Sequence, residues 1–434
     1  MSEPINLKNF INPAFNGMGD NLVQKTRGDR VIWAIVIILT LASLLLVYSS
    51  TGSLAYRMSK STESYLFKQF AFIILGLIII YWAHRINYTI YSRVALILFL
   101  VSIPLLLYTL FFGVQLNAGS RWIKLPVINM TFQTSDLAKL ALFMYMSRLL
   151  SRKQNVIKDF KKGFLPVIIP VAIICMLIAP ANLSTALLIG GTSLLLMFIG
   201  RVSTKHILYT MGIAAIPVVL LISIAVSTYD KQSRETKKLP AILNAGRIPT
   251  WISRIQTFVY SKKEDENEKM YQINQAKIAI AKGGWLGRGP GNSEQRNFLP
   301  HSYSDFIYAI IIEEYGIIGG AAILFIYLLF LYRCIRIYRK CPYAFGAFLA
   351  LALSFTLVIQ AIANMGVNVN LFPNTGVTLP LVSMGGSSFL FTCLSIGIIL
   401  SVARNVEQQE GHKIADLVPV PVAEDENEEM EKTA

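Results

Sequence analysis

The sequence predicts an all-α polytopic membrane protein of about ten transmembrane helices, with both termini cytoplasmic and a large extracytoplasmic loop between spans seven and eight. Three observations lead there: an apolar composition, uncharged runs of spanning length, and a one-sided distribution of cations. Hydrophobic residues make up 54% of the 434 and charged residues only 15%. The mean hydropathy is +0.53, too apolar for an ordinary soluble domain.

The uncharged runs are Val31 to Tyr56, Val94 to Ser120, Gly163 to Gly200, Ile207 to Tyr229 and Cys341 to Ala403. Each is long enough for one or two helices at ~20 residues per span. Pro180, Ala181 and Asn182 break the third run into two helices joined by a tight turn. The last run is interrupted by Asn364, Asn368, Asn370, Pro373, Asn374 and Gly376. Shorter candidates near Gln69 to Ala83, Ser135 to Leu150 and Ile310 to Tyr332 bring the count to about ten, and an even count places both ends on one side.

Lysine and arginine collect in cytoplasmic loops. Lys25, Arg27 and Arg30 in the N-terminal arm, Arg148 to Lys162 after span four, and Arg333 to Lys340 after span eight all fall on the same side of a ten-span chain. That side is therefore cytoplasmic, and the loop from about Asp230 to Ser304 is outside. Residues 1–29 form a polar arm, 30–404 the membrane domain, and 405–434 an acidic tail ending in EDENEEMEKTA; both ends read as disordered. The polar start and the long first apolar run argue against a cleavable signal peptide.

The net charge of +15 is spread over helix ends rather than along a basic stripe, so no nucleic acid is expected as a partner. Cys175, Cys334, Cys341 and Cys393 show neither a disulfide framework nor metal spacing, and His84, His206, His301 and His412 are scattered, so no protein-built metal site is predicted.

The outer loop divides in two. Asp230 to Met270, with its RETKK and KKEDENEK runs, reads as a solvated excursion. From Tyr271 helical spacing returns at Ile273, Ala276, Ile280 and Ala281, consistent with a helix on the membrane surface that breaks at Gly283 and Gly284. Gly287, Gly289 and Gly291 lack the context of a nucleotide loop and read as tight turns with positive φ. Asp305 then stands just before an apolar run, where a charge is costly unless it pairs or works.

Asp136 and Lys139 lie three residues apart in the fourth span and share a helical face. Two readings stay open: a self-neutralising ion pair, or a polar cavity in which Lys139 meets an anionic group that Asp136 orients. Arg121, beside Trp122, is either a snorkelling interfacial cation or part of the same site. Arg121, Lys139, Arg247, Arg254, Lys277, Arg288 and Arg296 all belong to outer loops or outer helix ends. That excess runs against the topology rule and points to an anionic ligand outside. Glu314 reads as a cation partner within the bundle, and His301 as a loop histidine.

These residues carry a family resemblance. NAGSRWI (117–123), FQTSDLAK (132–139), ANLSTALL (181–188), GGWLGRGPGNSEQRNFLPHSYSDFIYAIIIEEYGIIGG (283–320) and QAIANMGVNVNLFPNTGVTLPLVSMGGSS (360–388) together resemble the shape, elongation, division and sporulation (SEDS) family of peptidoglycan polymerases, nearest its division-type branch. The resemblance implies ten transmembrane helices and a glycosyltransferase that polymerises lipid II at the outer face of the cytoplasmic membrane. It aligns Asp305 with the family's essential aspartate, Lys139 with its lysine and Arg121 with its arginine beside tryptophan; with Asp305 as the catalytic candidate, the substrate-binding candidates are Arg121, Asp136, Lys139, Lys277, Arg288 and Ser387. Asp136 stands where the family usually has glutamate, and Asn182 and Tyr303 depart from its PDLGTA and LPEAHTDF patterns. The implied partners are a class B penicillin-binding protein transpeptidase, other divisome proteins and membrane lipid. A divalent cation such as Mg2+ or Mn2+ is a conceivable cofactor. The competing readings are an elongation-type polymerase, a lipid II flippase, and a scaffold that only recruits a transpeptidase.

Overall fold

A computed structural model describes residues 28–52, 61–116, 119–124, 131–229, 248–260, 268–300 and 302–417. The described helices are α1 (Arg30–Ser50), α2 (Thr62–Arg85), α3 (Tyr88–Phe112), α4 (Thr134–Arg152), α5 (Leu165–Ile178), α6 (Leu183–Ile199), α7 (Thr204–Ser227), α8 (Ile248–Tyr260), α9 (Glu268–Gly283), α10 (Ile307–Lys340), α11 (Ala344–Asn368) and α12 (Ser387–Leu417). Among the described residues, eight helices are long and apolar enough to cross a membrane, and α6 is a shorter apolar helix. Charges dilute α4, which carries Asp136, Lys139, Arg148 and Arg152. The chain is an all-α polytopic membrane protein.

Local chemistry sets the helix starts. Asp29 accepts hydrogen bonds from the N–H groups of Val31 and Ile32, and Ser61, Asn87 and Asn182 cap α2, α3 and α6 in the same way. The Pro180–Asn182 turn falls where the sequence places it. Asp29 also pairs with Arg333 at 2.6 Å, fastening the start of α1 to the far end of α10.

The bundle is built around α11, 83% of whose apolar window is buried, whereas α7 is the most peripheral span at 6%. Phe143, Leu142, Met144 and Met146 make α4 a second largely buried element. Every lost exposure of this kind leaves a backbone with its hydrogen bonds closed within the helix, the arrangement a bilayer core demands.

Four features depart from the sequence reading. The apolar run from Val94 ends its helix at Phe112, and a three-stranded antiparallel sheet follows: β1 (Val114–Leu116), β2 (Gly119–Lys124) and β3 (Thr131–Gln133). Trp122 pairs with Val114 on one side and Gln133 on the other, so the ladder leads the chain directly into α4. The supposed solvated excursion contains α8, because Ile252 and Gln256, one turn apart, have a face to bury. The tail drawn from residue 405 is helical to Leu417. Finally, α10 is interrupted at Gly316, where φ is 70°.

That interruption explains the glycine-rich loop. Gly284, Gly287, Gly289 and Gly291 all have positive φ, and the loop lies against the broken turn of α10. Arg288 N–H donates to Glu313 O at 3.0 Å, Gly289 N–H to Glu314 O at 2.9 Å, and Ile317 N–H to Gly284 O at 2.9 Å. A Cβ on Gly287 would stand 2.2 Å from Glu314 O, and one on Gly316 would stand 2.1 Å from Trp285 O. Only glycine lets the two backbones approach this closely.

Candidate functional site

A cavity of about 800 Å³ opens among α4, α6, α8, α9, α11, the β2–β3 ladder and the loop that carries Asp305. Its walls are rich in hydroxyl and amide side chains. Among the described residues lining it, the acids are Asp136 and Asp305 and the bases are Lys139 and Arg254.

Asp305 owes its place to residues far along the chain. Its carbonyl oxygen accepts from Asn364 Nδ2 at 2.9 Å and from Asn368 Nδ2 at 3.0 Å. Four residues apart on α11, these asparagines share one face. Asn364 also donates to Val377 O at 2.7 Å, and Asn368 Oδ1 accepts from Ala309 N–H at 3.0 Å. On the other flank, Ser383 donates to Ser304 O at 2.6 Å and Met384 N–H to Tyr303 O at 3.0 Å. The asparagines that interrupt the apolar pattern are thus the brackets of the aspartate loop. Tyr303, lining the cavity beside Asp305, has its phenol pushed above the usual range by burial and then by the Asp305 charge.

Lys139 and Asp136 make the ion pair of the first sequence reading, at 3.3 Å, and they make it on the cavity wall. Lys139 Nζ also donates to Gln360 Oε1 at 2.9 Å, and Gln360 in turn donates to Thr378 O at 3.0 Å. Asp136 is buried, with one carboxylate oxygen lacking a hydrogen-bond partner among the described residues.

The remaining sequence candidates lie elsewhere. Arg288 ion-pairs with Glu294 at 2.7 Å on an exposed part of the glycine-rich loop. The Glu294 carboxyl is held below the usual range by Lys282 first and Arg288 second. Lys277 is exposed on α9, and neither it nor Arg288 lines the cavity. Ser387 is buried and accepts from Gln133 N–H at 3.2 Å, stitching β3 to α12, while its neighbour Ser388 reaches the cavity wall. Arg121 belongs to β2, with its side chain outside the described part; Arg247 and His301 lie outside the described residues altogether. Glu313 and Glu314 are buried and structural. Glu313 accepts the Ser293 hydroxyl and the N–H groups of Glu294 and Gln295, and Glu314 accepts the Ser49 hydroxyl. Arg296 reaches the same Ser49 at 2.9 Å and 3.1 Å.

The sequence counts Arg254 only among the outer cations and gives it no place of its own in the site. It projects from α8 into the cavity, and both its Nη2 and Asp305 Oδ2 approach Gly376, lying 4.0 Å and 3.6 Å from where a Cβ on that glycine would be. No group of three or more His, Cys, Asp or Glu side chains able to hold a metal ion gathers among the described residues. A Mg2+ or Mn2+ ion therefore finds no donor cluster built by those residues.

Comparison with known proteins narrows the family. A family model described as "Cell cycle protein" and covering FtsW, RodA and SpoVE matches residues 29–408. The chain is 31% identical over 400 residues to a probable peptidoglycan glycosyltransferase FtsW of Geobacter sulfurreducens, covering 90% of this chain and 99% of that one. It is 30% identical over 387 residues to stage V sporulation protein E of Bacillus subtilis, covering 88% and 98%. Among solved structures, a chain of a peptidoglycan synthase complex that coordinates polymerization and crosslinking superposes with a TM-score of 0.67 at 20% identity, covering 88% of this chain and 99% of that chain. The rod shape determining protein RodA of Thermus thermophilus superposes with a TM-score of 0.58 at 20% identity, covering 87% and 97%. This chain belongs to the FtsW, RodA and SpoVE family of cell cycle proteins.

Proposed function

We propose that the chain is a division-type peptidoglycan glycosyltransferase that polymerises lipid II into glycan strands, with Asp305 as its general base. The observation that carries this reading is Asp305 itself: a carboxylate on the wall of a cavity of about 800 Å³, on a loop bracketed by Asn364, Asn368, Ser383 and Met384.

A sugar hydroxyl that attacks an anomeric carbon must lose its proton as the new bond forms, and a carboxylate within hydrogen-bond reach takes it. The bond that breaks joins the sugar to a polyprenyl pyrophosphate, whose growing negative charge needs cations fixed in advance. Attack from the face opposite the leaving group inverts an α-linked donor to a β-linked product. The polar walls suit the disaccharide. The apolar runs support about ten spans, and the distribution of cations supports cytoplasmic termini and an outward-facing cavity. A class B penicillin-binding protein is the fitting partner, since a glycan polymer becomes wall only when cross-linked.

A flippase would use broken helices around a central site. The break in α10 does not serve that purpose, because the Glu313 and Glu314 carbonyls next to it are taken by Arg288 and Gly289 N–H groups and neither glutamate lines the cavity. The test is polymerisation of lipid II in detergent by the purified chain with its transpeptidase, beside Asp305→Asn. Polymer from the parent and none from the variant is expected. Equal polymer from both removes Asp305 as the base, and no polymer from either with intact transbilayer movement of lipid II favours the flippase.

A further inference from the structure

We propose that Arg254 is the residue that grips the pyrophosphate of the lipid-linked substrate beside Asp305, and that a clasp between α7 and α8 aims it. The inference rests on the transferase reading for the identity of the ligand, but its geometry stands on α8, its contacts with α7 and its approach to Gly376.

Residues 250, 254 and 257 recur at one helical face, and residues 252 and 256 at the opposite one. In α8 the first set, Thr250, Arg254 and Thr257, lines the cavity, while Ile252 and Gln256 are the buried pair. Gln256 Nε2 donates to Ala225 O at 2.9 Å and to Thr228 Oγ1 at 3.3 Å, both at the end of α7. Tyr260 stacks on Tyr229 with centroids 4.1 Å apart and planes 3° from parallel. One face of α8 is thereby fixed to α7, which leaves the other turned into the cavity.

Arg254 is the base placed to read an anion there. Arg254 and Lys139 are the described bases on the cavity wall, whereas Arg288 and Lys277 lie off it; of the two, Arg254 is the one beside Asp305 over Gly376. Arg254 and Asp305 approach the same point over Gly376, so a phosphate group on the guanidinium would hold the donor sugar where a hydroxyl attacking it lies within reach of the carboxylate. A guanidinium fork binds phosphate oxygens in pairs, which an ammonium cannot do.

The full chain in detergent is titrated with undecaprenyl pyrophosphate and, separately, with undecaprenol, and lipid II polymerisation is followed in parallel. Arg254→Ala is expected to weaken pyrophosphate binding about ten- to a hundredfold, the range for a lost charged hydrogen-bonding partner, with undecaprenol binding and melting temperature unchanged. Arg254→Lys falls between the two. Gln256→Leu, which frees α8 from α7 while keeping bulk, weakens binding severalfold in the same direction. Unchanged pyrophosphate affinity in Arg254→Ala overturns the proposal, as does an equal loss of undecaprenol binding, which would mark Arg254 as merely structural. Arg254-dependent binding by a chain that makes no polymer supports the grip and overturns the polymerase reading instead.

Discussion

Replacing Asn364 and Asn368 together by alanine tests whether Asp305 works because of where α11 holds it. The double change removes the two amide bonds to Asp305 O, the bond from Asn364 to Val377 O, the bond from Asn368 to Asn364 O, and the bond between Ala309 N–H and Asn368 Oδ1. At about 1 kcal/mol for each buried hydrogen bond, the fold should lose about 5 kcal/mol. Ala309 N–H keeps a bond to Phe306 O, and Ser383 and Met384 still hold residues 303 and 304, so the loop should loosen rather than unfold. A displacement of about 1 Å at a reacting group costs roughly a hundredfold in rate. The expected result is therefore a kcat lowered about a hundredfold, with undecaprenyl pyrophosphate affinity retained because Arg254 is untouched. Each single alanine should cost far less than its share, since either asparagine alone still reaches Asp305 O. Steady-state polymerisation and binding titrations on protein that melts cooperatively decide the matter. A double variant with parental kcat and a lowered melting temperature would refute the idea that these bonds aim the base.

Two further outcomes follow from the same structure. Gly287→Ala forces a Cβ to within 2.2 Å of Glu314 O at a φ of +78°, whereas Gly291→Ala at +75° meets nothing within 4 Å. The second should cost about 1–2 kcal/mol, the left-handed penalty alone, and the first should abolish recovery of folded protein; equal melting temperatures would show that the loop does not seal the break in α10. Lys139→Met strands Asp136, whose carboxylate already lacks one partner, at a cost of about 3 kcal/mol or more. Adding Asp136→Asn should recover part of the loss in detergent melting, and no recovery would mean the pair is not what holds that wall.

Much of the architecture is legible because membrane spans are local: the uncharged runs, the Pro180–Asn182 turn and the break at Gly283–Gly284 need no knowledge of distant residues. The rest depends on pairings that no local pattern reports. Asn364 and Asn368 read as flaws in an apolar run, because the carbonyl they hold is 59 and 63 residues away. Arg254 is hidden between the charged runs at 230–247 and 261–268, whose composition resembles a solvated segment; the apolar spacing at Ile252 and Val259 was the available signal. The sheet at 114–133 consists of strands of three to six residues, too short for alternation to stand out. Arg288 and Lys277 were grouped with the site by charge and proximity in sequence, but an exposed turn and a helix face point them elsewhere.

The buried charges of this bundle fall into two classes, and the division bears on function. Glu313 is engaged through both carboxylate oxygens by the Ser293 hydroxyl and the backbone N–H groups of Glu294 and Gln295, whereas Glu314 accepts the Ser49 hydroxyl, which Arg296 also reaches, and keeps one oxygen without a hydrogen-bond partner among the described residues. Neither lines the cavity, and the bonds to Glu313 hold the glycine-rich loop against α10. Asp136, Lys139, Arg254 and Asp305 instead converge on one open volume. A frame needs no such convergence, and a self-neutralising pair would need only Asp136 and Lys139. The second pair, Arg254 and Asp305, sits on two segments that are each braced from behind, α8 by α7 and the Asp305 loop by α11. Bracing the two segments separately sets both groups on one cavity, where, on the proposed reading, the phosphate of a lipid-linked donor would meet Arg254 and the attacking hydroxyl would meet Asp305.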